Sequence, residues 1–288
     1  MLLVAATAAA SLAFGGLGSA STPKVSSMTL QAADVPGAKI RAQGTVKEKG
    51  YVAAYQRTFQ FVNAPYGKSQ LIVLQVETML AASAGTAARD LTDAEKAFRS
   101  KAGRAALIAE IAKDAGVKPK AVVIGKLRAV GGYDQGFEVP ISVVTALGRV
   151  YENVSYLRID RIAVALSETG LRQISAVDTS HFATIIADRI STALSPALVS
   201  PPTITGSAQQ GQTLTATAGI WTADDATFTY QWQHCDPAGA NCADIVGAAA
   251  QTYAVQPADV GTTVRVVVTA SNRFDTPNAA SAPTAVVS

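Results

Sequence analysis

Cysteine and histidine are nearly missing from this chain of 288 residues, which has two of each. A zinc site needs about four ligands. Cys235, Cys242 and His234 supply three, with no second cysteine pair to complete the set. The C-x-x-C spacing of a redox pair is absent. No G-x-S-x-G is present, so a hydrolase triad through His181 lacks its nucleophile elbow. Gly67-Lys68-Ser69 imitates the end of a phosphate-binding loop, but position 62, where the motif needs glycine, is valine. The glycine-rich run from Gly131 to Gly136 has the wrong spacing for a dinucleotide fingerprint and reads as a tight connection. No cofactor and no metal are expected. Charge is also sparse, at 16% of residues against 49% apolar, a globular composition.

Lysine and glutamate vanish beyond residue 200. There the chain carries six Asp and two Arg, a balance of −4, whereas the preceding part stands at +7. This asymmetry predicts two units with different surfaces. The positive part has no Lys/Arg run, so nucleic acid is not an expected partner.

The first twenty residues carry no charge and end in Gly18-Ser19-Ala20, small residues that suit signal peptidase. Residues 1–20 are read as a signal peptide, with no stable membrane insertion after its removal. The product is secreted, extracellular or associated with the cell wall. Export favours a Cys235–Cys242 disulfide. The local pattern agrees: Thr227 to Gln233 alternates as a strand, Asp236-Pro237-Ala238-Gly239 reads as a turn, and Ala243 to Val246 forms the return strand. Free or redox thiols, and a metal site completed by Asp236 or Asp244, are the weaker alternatives.

Residues 196–203, with Pro196, Pro201 and Pro202 at or beside them, read as a Pro-rich linker. Residues 204–288 read as an all-β sandwich, with strands near Thr213–Ala218, Thr227–His234, Ala243–Val246, Thr252–Val255, Thr263–Ser271 and Ala282–Val287. The motifs along it are G-x-x-L-x-A-x-x-G-x-W (Gly211 to Trp221), Y-x-W-x-x-C…C (Tyr230 to Cys242), I-x-G-A (Ile245 to Ala248), Y-x-V (Tyr253 to Val255), D-V-G (Asp259 to Gly261) and R-V-x-V-T-A-x-N (Arg265 to Asn272). This order resembles the immunoglobulin-like module of secreted and cell-wall proteins of actinobacteria and their relatives. The likeness implies a spacer or adhesive unit without catalytic residues. It departs from antibody domains in two ways: the disulfide would staple a hairpin, and Thr263 and Arg265 replace the Tyr and Cys after the Asp-x-Gly corner.

Residues 28–195 read as an α+β domain with the order ββ-α-ββββ-α, an antiparallel sheet with both helices on one face. Tyr51–Val62 and Gln70–Leu80 alternate at period two as a hairpin. Thr92 and Glu95 form a capping box for a helix reaching about Ala115, and Asp178 or Thr179 caps a last helix. Ala33-Asp34-Val35-Pro36-Gly37, leading into Tyr55, Arg57 and Phe59, resembles secreted actinobacterial domains of sensor or PsbP-like type, which implies binding or sensing. On the hairpin, odd positions place Tyr51, Tyr55, Arg57 and Phe59 on one face, with Arg57 opposite or diagonal to Glu77. Tyr51, Tyr55, Arg57 and Glu77 are therefore the candidate ligand-binding residues, for an envelope glycan, lipid or protein. The expected function is a non-enzymatic binding or sensing protein with an Ig-like module. The alternatives are an envelope-polymer enzyme using a carboxylate pair, Asp134 with Glu138 or Glu77 with Glu152, and a purely structural interaction protein.

Overall fold

A computed structural model describes residues 24–223 and 225–288, and the proposed signal segment lies outside them. The chain divides into two compact units, the first ending at Ala193 and the second running from Leu194 to Ser288. Among the described residues no helix is long and apolar enough to cross a membrane.

The first unit is built on strands β1 (Ala38–Val46), β2 (Tyr51–Phe61), β3 (Leu71–Ala81), β4 (Val122–Ile124), β5 (Arg128–Ala129), β6 (Gln135–Thr145), β7 (Gly148–Ile159) and β8 (Ile162–Gly170). They form one antiparallel sheet in the order β1-β2-β3-β8-β7-β6-β4, with β5 also paired to β6. Its helices are α1 (Val25–Met28), α2 (Ala84–Arg99), α3 (Lys101–Asp114) and α4 (Ala176–Leu194). The α+β class therefore holds, but the helices do not share a face. Leu91 of α2 and Ile111 of α3 pack with Phe137, Val139 and Ile141. Thr179 of α4 instead donates to Glu168. Glu168 is opposite Asn153, while Val154, one residue on, belongs with the α2/α3 cluster. Successive residues of a strand point to opposite sides, so α4 lies across the sheet from α2 and α3. The reason is connectivity: α2 leaves the end of β3 and α4 the end of β8, and the central strands are apolar on both sides. β8 is buried along its whole length.

The expected helix 92–115 is two helices. Ser83 caps α2, accepting from Thr86 N–H at 3.1 Å, and Thr92 sits inside it, donating to the Ala88 carbonyl. Ser100 ends α2 in extended conformation and caps α3 through Gly103 N–H. A Cβ at Gly103 would strike the Ala97 carbonyl, so glycine permits this tight break. Ser175, not Asp178 or Thr179, caps α4, accepting from Asp178 N–H at 3.2 Å.

The second unit contains β9 (Leu198–Ser200), β10 (Ile204–Thr205), β11 (Thr213–Ala216), β12 (Ile220–Trp221), β13 (Thr227–Cys235), β14 (Ala243–Asp244), β15 (Thr252–Ala254), β16 (Thr263–Ser271) and β17 (Asn278–Ala280). They pair as β10-β11-β15, β12-β9 and β14-β13-β16-β17. One core joins the first and last of these sheets: Leu214, Ala216, Tyr253 and Val255 meet Trp232, Val264, Val266 and Val268. Trp232 is fully buried, stacks on Tyr253 at 5.5 Å and donates from Nε1 to the Ala250 carbonyl. That contact gives its one polar atom a partner, as a buried indole requires.

Two expectations are corrected here. Part of the proposed linker is strand β9, paired to β12 through Ser200 and Leu198. Residues 282–287 are not a strand. They run beside β16 through scattered bonds such as Thr284 N–H to the Val264 carbonyl, because Pro283 cannot donate to a ladder.

Candidate functional site

The proposed ligand face comes apart in the register. Arg57 pairs with Val76, and Glu77 pairs with Gln56. Arg57 and Glu77 therefore point to opposite sides of the sheet, since one residue of slip exchanges the faces. An irregularity between Tyr51 and Ala53 also moves Tyr51 away from Tyr55, so Tyr51 packs with Ala54, Met79, Ala163 and Ala165.

Tyr55 and Arg57 lie on the α4 side, where Arg57 is a structural clamp. Its Nε donates to Gln43 at 2.9 Å, its Nη1 to the Leu30 carbonyl and Gln31, and its Nη2 to Tyr55 Oη at 3.3 Å. Every nitrogen is engaged within the protein, and the result is to pin the segment after α1. Asp34 in that segment binds Arg189 of α4 at 2.7 Å. Burial works against the Asp34 charge, but the hydrogen bonds and charge of Arg189 outweigh it and hold the carboxyl below its usual range.

Beneath α4, Asn153 Nδ2 donates to Glu138 at 2.8 Å and Thr179 donates to Glu168 at 2.6 Å. Glu138 also pairs with Arg128. Glu168 is fully buried, and burial pushes its carboxyl up to about 8. The imitation phosphate loop closes this side. Ser69 N–H and Oγ both donate to Asp178, so the turn holds an anion supplied by the chain itself.

The α2 side carries a different surface. Along β8, Ala163, Ala165, Ser167 and Thr169 share this face, so the middle of the sheet has small side chains. In register, Ala165 lies between Glu77 of β3 and Tyr156 of β7. Ser167 lies between Gln75 and Val154, and Thr169 between Val73 and Glu152. Tyr156 stacks on Phe137 at 5.1 Å and also packs, with Tyr51 and Val46, against Ala54, Met79, Ala163 and Ala165.

Glu77 is 3% exposed. Burial first, then the charge of Glu48, push it up to about 7. Glu152, 5% exposed, accepts from Ser167 Oγ at 2.7 Å and is likewise raised to about 7 by burial. Thr169 Oγ1, beside it, is buried without a partner. Asp90 of α2 neighbours Tyr51. Burial and neighbouring acids raise the phenols of Tyr51 and Tyr156.

Of the four candidate residues, the structure thus brings together Tyr51 and Glu77 and places Tyr55 and Arg57 elsewhere. Sequence reasoning missed Ala165, Thr169 and Tyr156. Their signal was the alternation Ala163-x-Ala165-x-Ser167-x-Thr169, small residues on one side of a strand whose other side holds Val164 and Leu166. The carboxylate pairs do not converge: Asp134 engages Arg158 and Asp160 N–H, and Glu77 and Glu152 are separated by β8 and two steps of register. Among the described residues no cluster of three or more His, Cys, Asp or Glu is arranged to hold a metal.

In the second unit Cys235 and Cys242 are joined as a disulfide across the β13–β14 loop. Asp236 organises that loop, accepting from Ala238 and Ala240 N–H and from Asn241. Tyr253 Oη of β15 donates to one oxygen of the fully buried Asp259 at 2.8 Å, and His234 Nδ1 of β13 lies 2.9 Å from the other. These contacts stand at the Asp-x-Gly corner.

No family model and no curated protein matches the chain. Among solved structures, the extracellular domain of PknH from Mycobacterium tuberculosis is similar to it at 11% identity, over 59% of this chain and 94% of that domain, with a TM-score of 0.34.

Proposed function

We propose that the chain is an exported, non-enzymatic binding protein. Its first unit takes a small polar ligand on the α2 side of the sheet, and its second unit is an Ig-like module that spaces or attaches it. One observation carries the reading: on the small-residue side of β8 the Thr169 hydroxyl is buried without a partner, on the same face as the buried Glu77. A buried hydroxyl left unpaired costs about 1–3 kcal/mol, a cost that a ligand supplying the missing partner would offset. The disulfide supports export, since such bonds persist in oxidising compartments.

The test is native mass spectrometry of the unreduced protein, purified from its host's culture medium. A retained small molecule, absent from the Ala165→Trp variant, is the expected result. A retained molecule indifferent to Ala165→Trp would place binding elsewhere. Acid–base chemistry is the rival, with Glu152, whose carboxyl burial raises to about 7, as its candidate group. It requires that Glu152→Gln abolish turnover of an envelope polymer without weakening its binding.

A further inference from the structure

The two ends of the first unit's sheet differ in charge. The register gathers one end from Ala38 beside Phe61, Leu71 and Tyr151 beside Gly170, and Val122 beside Val143. Residues 35–39, 62–70, 115–121, 144–149 and 171–177 form the connections there, with the strand and helix residues that adjoin them. They carry six cations, Lys39, Lys68, Lys118, Lys120, Arg149 and Arg172, all exposed, and no acid. The ion pairs of this unit use Lys96, Arg99, Arg128, Arg158 and Arg189, none of the six. Of the acids just outside these stretches, Asp34 binds Arg189, Asp178 accepts from Ser69 and Glu152 is buried, while Asp114 at the end of α3 is exposed. At the opposite end, residues 47–50, 82–83, 130–134 and 160–161 set Lys47, Lys49 and Arg161 against Glu48, Asp134 and Asp160, an even balance. Apolar side chains follow the cations. Val62, Val144, Leu147, Leu171 and Val177 are exposed at the basic end, five of the eight large aliphatic side chains described as exposed in this unit. Leu147, in the turn closed by the Thr145 and Gly148 pair, is 88% exposed.

We infer that this end of the unit docks reversibly on the surface of an anionic phospholipid membrane. Leu147 and its aliphatic neighbours enter the headgroup layer, and the six cations meet the lipid phosphates. Both halves of the pattern are needed for this partner. An acidic polymer would engage the cations but gain nothing from leucine and valine at the tips, because exposed aliphatic chains are favoured only where they leave water. A negatively charged leaflet attracts basic side chains within a Debye length, about 8 Å at physiological salt. Lysine and arginine suit that boundary, since their stems lie along apolar material while their charges stay at headgroup level. The docking is peripheral, as no described helix is long and apolar enough to cross the bilayer. It uses residues at the end of the sheet, away from Thr169 and Glu77, and so does not depend on the ligand reading above.

The test is flotation of the protein, purified from culture medium, with vesicles of phosphatidylcholine alone or of equal parts phosphatidylcholine and phosphatidylglycerol. Binding to the anionic vesicles alone, at low salt and not at about 1 M salt, is the expected result. Leu147→Ser should weaken it by about fivefold or more. Reversing two cations together, Lys120→Glu with Arg172→Glu, should weaken it by about tenfold or more. Lys47→Glu, at the balanced end, should change it by less than about twofold. Unchanged dichroism and tryptophan emission show that each variant is folded. Absence of binding, equal binding to both kinds of vesicle, or as large a loss in Lys47→Glu would overturn docking by this end. Anionic binding that Leu147→Ser leaves intact and soluble polyglutamate competes away would assign the cations to an acidic polymer and overturn the membrane.

Discussion

The two units solve the same problem, a sheet that must be covered, with opposite materials. The first buries acids: Glu77, Glu152 and Glu168 lie on or under its sheet, and helices cover both sides. The second covers sheet with sheet, fills the gap with Trp232, Tyr253 and valines, and adds a covalent staple. Among the described residues its fully buried carboxylate is Asp259, which accepts from Tyr253 Oη and the Gln256 N–H and lies 2.9 Å from His234 Nδ1. Both units hold buried polar atoms without a partner, among them Thr78, Asn153, Glu168 and Thr169 in the first and His234 and Asp259 in the second. The difference lies in the buried acids: Glu77, Glu138, Glu152, Glu168 and Asp178 in the first against Asp259 in the second, among the described residues.

Tryptophan emission reports the second unit alone, because both tryptophans, Trp221 and Trp232, are in it, while helical circular dichroism reports the first. The largest expected effect is Trp232→Ala, which should cost the second unit about 3–5 kcal/mol as a cavity opens in its core. Helical dichroism should then melt unchanged, and parallel loss of both signals would show that the units do not fold separately.

Next is pH. Glu77, Glu152 and Glu168 have folded values raised above the usual 4.5, so the native state holds more protons than the unfolded chain between them. Stability from these groups is complete below about pH 4.5 and is lost as pH rises through about 7 to 8. Asp34 and Asp178, held below their usual range, act the other way and are lost only in stronger acid. The first unit should therefore be most stable in mild acid, and chemical denaturation followed by dichroism at a series of pH values reads this out. A tryptophan transition with the same pH slope would erase the contrast between the units. Glu168→Gln should remove part of that slope.

Reduction of Cys235–Cys242 should cost the second unit roughly 2–3 kcal/mol for so short a loop, seen as a lower tryptophan midpoint with helical dichroism unmoved. The smallest contrast is within α2. Ser83→Ala should cost about 1 kcal/mol as a lost cap, and Thr92→Ala, mid-helix, within about 0.5 kcal/mol. The reverse order would restore the helix start at Thr92.

Period-two alternation made the hairpin of β2 and β3 legible, and the β16 boundaries Thr263–Ser271 agree between pattern and structure. The disulfide loop was legible because its signals are local: two cysteines, a Pro-Gly turn and a return strand. The helix break at Ser100 was not, since Ser100 and Gly103 act only together with the Ala97 carbonyl they approach. The candidate site was half legible. Tyr51 and Glu77 were named, but with Tyr55 and Arg57, because a register offset of one residue and a single irregularity at Tyr51–Ala53 are invisible in a linear pattern.

By itself the sequence determined what is local: which stretches alternate, where turns fall, which cysteines meet, and where acidic and basic composition divide the chain. Only the tertiary structure decided which side of the sheet each residue faces, that Arg57 is consumed by Leu30, Gln31 and Gln43, and that Glu77 lies beside Ala165 on the opposite side. The physical reason is that hydrogen-bond satisfaction belongs to pairs of groups distant in the chain, and in a sheet one residue of register decides every such pair at once.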